Sequence, residues 1–74
     1  MSLKSDAYTT EIIRADVERQ RNTAEIQVNN EIIEELAGND AKIKYSKKLE
    51  YRNSDLEHSN RILSQLISNL KKAR

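Results

Sequence analysis

Leu49, Leu56, Leu63 and Leu70 recur every seventh residue, and Asn53, Asn60 and Ile67 fall four positions after the first three of them. Spacings that alternate four and three place all of these side chains on one stripe of a helix wound at about 3.5 residues per turn. An apolar stripe of this length has to be covered by a second helix, because a lone helix has nothing to bury it against. The pattern therefore specifies how the chain associates. It does not specify a process, since heptad helices serve transcription, transport, cytoskeleton and scaffolds alike.

Composition strengthens the case for association. At 74 residues the chain is one small domain or a fragment, and a chain of this size buries only about 60% of the surface that it exposes when unfolded. It contains no Cys, Pro, Trp or Phe and a single Gly, so neither disulfides nor thiolate-bound metal can staple it, and oligomerisation remains. Few breakers and abundant Glu, Lys, Arg, Ile, Leu and Gln point to helix almost throughout. With no apolar run near about 18 residues and no secretory-type apolar segment, a soluble intracellular protein is expected, in cytoplasm or nucleus.

A second seam precedes the first. Ser5, Asp6, Thr9 and Thr10 offer N-caps, and from there Tyr8, Ile12, Ala15, Arg19, Asn22, Ile26, Asn29, Ile33 and Leu36 again alternate four and three apart. Gly38-Asn39-Asp40 then combines a residue suited to the left-handed position after a helix with two suited to an N-cap. The heptad phase also slips by one residue there: the first seam would continue through Asp40, Ile43 and Lys47, whereas the second runs through Ser46 and Leu49. The chain thus reads as one domain spanning 1–74, with helix 1 over about 9–37, a turn at 38–40 and helix 2 over about 41–72.

In an antiparallel pair, facing residue numbers add to a constant. A constant of 82 sets Asn22 against Asn60, Asn29 against Asn53, Ile33 against Leu49, Ile26 against Leu56, Arg19 against Leu63, Ala15 against Ile67 and Ile12 against Leu70. Slipping one heptad would bring Asn29 to Ser46 and Asn60 to Ala15, and each buried amide that lost its partner would cost about 1–3 kcal/mol. The asparagines so act as a register lock. Charge agrees: residues 1–40 carry 4 basic and 9 acidic side chains, a net of −5, and residues 41–74 carry 9 basic and 3 acidic, a net of +6.

The same residues allow another arrangement. The Leu56-Glu57-His58-Ser59-Asn60-Arg61-Ile62-Leu63 segment resembles the zipper of basic-leucine-zipper transcription factors in its leucine and asparagine spacing. This generic likeness covers about a third of the chain and implies a parallel two-stranded coiled coil. Such a family carries its basic region where this chain has Glu31, Glu34, Glu35 and Gly38, and its pair of Asn and Arg for DNA contacts is missing.

Helix 1 is apolar on two sides. Ile13, Val17, Ala24 and Val28, with Ile32 at the margin, line the face opposite its seam, and Ile62 and Leu66 of helix 2 extend the surface. A helix of this kind is usually sandwiched. The expected fold is therefore all-α: an antiparallel helical hairpin of coiled-coil type that dimerises through helix 1 into a four-helix bundle, with the long parallel coiled coil as the alternative.

Chemistry is sparse. His58 with Asp55 has helical i, i+3 spacing, but one pair is far short of a metal site. There is no phosphate loop and no nucleophile motif, so neither enzyme activity nor a cofactor is expected. One surface could meet anions: Lys42, Lys44, Lys47, Lys48 and Arg52, which either bind nucleic acid or an anionic membrane face, or balance Glu31, Glu34 and Glu35 across the turn, the balance being favoured. The reading is an oligomerisation or scaffold module whose partner is its own copy or another helical protein, without membrane insertion. A nucleic-acid-associated regulator built on a zipper dimer is the alternative.

Overall fold

The computed structural model of the chain describes residues 3–74, with side chains from Asp6 onward. Two long helices, α1 (Leu3–Glu35) and α2 (Ile43–Ala73), are joined by a turn and a short 3₁₀ segment at Asp40–Lys42. The helices pack against each other as an antiparallel hairpin, and no strand occurs among the described residues. The Cα trace measures 58 × 14 × 11 Å, close to the length of one helix of this size at about 1.5 Å per residue. The chain doubles back once, which rules out the long parallel rod as its arrangement.

The element boundaries differ from those expected. α1 starts at Leu3 rather than near residue 9, so Asp6, Thr9 and Thr10 lie within the helix instead of capping it. The Thr10 hydroxyl donates to the Asp6 carbonyl at 3.1 Å, a back-bond to i−4 that satisfies the side chain without interrupting the helix. α1 stops at Glu35, and the chain turns over residues 36–38. Gly38 takes φ +83°, a conformation that any Cβ disfavours whatever space surrounds it. The Asn39 side chain accepts from the Ala41 N–H at 3.2 Å, which closes the 3₁₀ turn and delays α2 until Ile43 rather than residue 41.

Apolar packing is thin. Ile12, Ala15 and Ile67 form a buried cluster against Leu63 and Leu70 near the open end of the hairpin, and Leu56 is buried further along. No described side chain is fully buried. This follows from geometry, since two cylinders touch along a line and leave most of each surface in water. The open end is also tied by Arg74, whose guanidinium donates to the Thr9 hydroxyl at 3.4 Å.

Candidate functional site

The residues of most consequence are the polar layers between the helices and the outer face of α1. Within the hairpin Asn29 donates through Nδ2 to Oδ1 of Asn53 at 2.9 Å, and Asn22 donates in the same way to Asn60 at 3.0 Å. Both pairs add to 82. Asn29 and Asn53 are buried, with only 7% and 8% of their surface exposed, whereas Asn22 and Asn60 are half-buried. Ile12, Ala15, Leu56 and Ile67 are the buried apolar members of the contact, and Ile26, Ile33, Leu49, Leu63 and Leu70 are half-buried along it.

Each layer is longer than two amides. The Asn53 amide nitrogen donates onward to Oδ1 of Asn30 at 2.9 Å, and that of Asn60 donates to the Thr23 hydroxyl at 3.2 Å. Hydrogen bonding therefore runs from helix to helix and back, and no buried side-chain nitrogen or oxygen among the described residues lacks a partner. Seam spacing alone overlooked Thr23 and Asn30. The signal was present as a polar residue directly after each seam asparagine of α1, in Asn22-Thr23 and again one heptad on in Asn29-Asn30. Ser59 adds a weaker contact from Asn22 at 3.5 Å.

Arg19, which interrupts the seam opposite Leu63, keeps its charge out of the contact. Its guanidinium pairs with Asp16 at 2.6 Å and donates to Ser64 on α2 at 3.1 Å.

The outer face of α1 is bare. Ile13, Val17 and Val28 are 58%, 42% and 52% exposed, Ala24 is exposed and Ile32 is half-buried at the edge. Ile13 and Val17 line a shallow groove with Arg14, Glu18 and Arg21. On α2, Ile62 and Leu66 are also exposed. No family model, curated protein or solved structure matches the chain. Its functional reading accordingly rests on this geometry.

The basic cluster behaves differently from the favoured expectation. Arg52 is engaged far from the turn, where it grips Glu25 through Nε at 2.7 Å and Nη2 at 3.3 Å. Hydrogen bonding from Arg52 holds the Glu25 carboxyl below its ordinary value, with a smaller contribution from the Asn29 amide, and the guanidinium is raised in return. Lys42, Lys44, Lys47 and Lys48 are exposed. Among the described residues no ion pair joins them to Glu31, Glu34 or Glu35. Lys42, Lys44 and Lys48 instead surround the exposed Tyr45 in a shallow concavity at the start of α2.

No three His, Cys, Asp or Glu side chains converge on one point among the described residues. No helix there is long and apolar enough to cross a membrane.

Proposed function

We propose that the chain is a non-catalytic helical interaction module, a coiled-coil hairpin that oligomerises or scaffolds an assembly through the outer face of α1. The exposure of Ile13, Val17 and Val28 in one stripe carries this reading. Scattered exposed aliphatics are ordinary, but aligned ones on a helix whose opposite face is already packed form a second contact surface. The thin apolar packing of the hairpin supports it further, because small helical domains commonly complete their cores by pairing.

Sedimentation equilibrium of the intact chain tests the proposal. At micromolar concentration the mass should be that of a dimer or larger, and Ile13→Glu/Val17→Glu should reduce it to a monomer that keeps its far-UV helical signal. A monomeric wild-type chain would refute it.

A second reading has one observation in its favour: the lysines around Tyr45, which form no ion pair among the described residues, leave a cationic surface with an aromatic side chain in its midst. A nucleic-acid-associated role through this surface requires binding to generic DNA whose affinity falls steeply with salt. Absence of binding at low salt excludes it.

A further inference from the structure

The outer stripe of α1 does not end with its aliphatic residues. Ile13, Val17, Ala24, Val28, Glu31 and Glu35 follow at intervals of 4, 7, 4, 3 and 4 residues, which at about 100° per residue keeps all six within roughly 30° of one line. α2 carries the same pattern in reverse. Lys44, Lys48, Tyr51, Asp55, Ile62 and Leu66 follow at intervals of 4, 3, 4, 7 and 4 residues, again within roughly 30° of one line. All twelve residues are exposed in the hairpin. Resting on the proposed role in self-association, we infer that the outer face of α1 is covered by a second copy of this chain, whose α2 lies antiparallel along it.

In that arrangement facing residue numbers add to 79, as those inside the hairpin add to 82. Ile13 meets the partner's Leu66, Val17 the partner's Ile62 and Val28 the partner's Tyr51. Glu31 meets the partner's Lys48, and Glu35 the partner's Lys44. The three apolar contacts use six of the eight large hydrophobic side chains that the described residues leave exposed, so one register covers the bare surface of both helices. The partner's Asp55 falls opposite the small Ala24, within a turn of Arg21, and neither Asp55 nor Arg21 forms an ion pair in its own chain among the described residues.

Charge selects both the helix and the register. α1 has no basic residue in its last turn and α2 no acidic one in its first, so Glu35 and Lys44 oppose the helix dipoles at those ends. No ion pair among the described residues offsets them within the chain, whereas the partner's charges do. Two α1 helices facing each other antiparallel would instead bring Glu35 to the partner's Asp6 and Arg21 beside the partner's Arg21. Sliding α2 by one heptad sets Glu31 against Asp55 in one direction, and Val17 against Asp55 in the other. A parallel α2 would set Ile13 against Lys44 and Val17 against Lys48. Because α1 of one copy meets α2 of the next, the contact is heterologous and repeats side by side, into a ring or an open row.

Oxidative cross-linking of the full chain tests the pairing, and the absence of native cysteine makes single variants unambiguous. Val17→Cys and Ile62→Cys, made in separate chains, replace exposed side chains, so helicity by circular dichroism should match wild type. Positions 17 and 62 face each other across the contact. Successive copies of either helix lie two helix spacings apart, about 16–20 Å, beyond the roughly 7 Å that a disulfide spans between Cα atoms. An equimolar mixture oxidised mildly and weighed by mass spectrometry should give the mixed dimer roughly tenfold over either homodimer. Glu31→Lys/Glu35→Lys should weaken association roughly tenfold by sedimentation, and Lys44→Glu/Lys48→Glu added to the same chain should restore it. Both replacements agree with the helix dipoles, so neither should cost helicity.

Dominant Val17→Cys homodimers would overturn the pairing of α1 with α2, and so would a wild-type oligomer that yields no mixed dimer. Association left unchanged by the first charge variant, or not restored by the second, would overturn it as well. These results leave self-association standing. A wild-type monomer would remove the inference and the proposed function together.

Discussion

The buried amide layer allows a sharp energetic test. Asn29 and Asn53 share a 2.9 Å hydrogen bond at 7% and 8% exposure, and Asn53 passes a second bond to the exposed Asn30. Asn53→Ala leaves the Asn29 amide buried without its acceptor across the helices, at a cost of about 1–3 kcal/mol. Asn30 can turn to water, so the second bond adds little. Asn29→Ala similarly strands Oδ1 of Asn53, at a comparable cost. The double variant has no stranded group, so its loss should fall short of the sum by about 1–2 kcal/mol.

For the Asn22 and Asn60 layer, which is half-buried, water can replace the missing partner, and the same cycle should give about 0.5 kcal/mol or less. Urea denaturation at one fixed chain concentration measures both cycles, since association makes apparent stability concentration-dependent. Additivity within about 0.3 kcal/mol at Asn29 and Asn53 would refute the buried contact. Coupling larger in the outer layer than in the buried one would refute the argument from burial.

Two further outcomes follow from the turn and from the ion pair that Arg52 and Glu25 form between α2 and α1. Gly38→Ala should cost about 1–2 kcal/mol, through backbone strain alone, because an added Cβ meets nothing within 4 Å at φ +83°; equal stability in urea would refute the left-handed turn. Glu25 has a lowered pKa in the folded chain, so its contribution is present above the unfolded carboxylate pKa and is lost as pH falls through the folded one. The difference in melting temperature between wild type and Glu25→Gln should therefore be greatest near neutral pH and vanish in acid. A difference that persists in acid would show that the carboxylate charge is not what matters.

Helical periodicity is a local property, and it was legible from the residues. Alternating spacings over Ile12–Leu36 and Leu49–Leu70, a single Gly and the Asn-Asp pair beside it imply two helices and a reversal, because a backbone turning every 3.6 residues aligns those positions whatever surrounds them. The pairing of four asparagines was legible too, since buried amides leave few registers in which all find partners. Other features depended on the distance and rotation between the helices.

Thr23 and Asn30 complete the polar layers because the α2 asparagines reach past their opposite numbers. Arg52 finds Glu25 rather than an acid near the turn, and the lysines at the start of α2 pair with none of the expected glutamates. The 3₁₀ turn before α2 belongs with these, set by the Ala41 N–H that the Asn39 side chain satisfies. Periodicity determines which face of a helix is turned inward; which polar groups meet depends on side-chain reach to within an ångström, and only the packed pair of helices sets that.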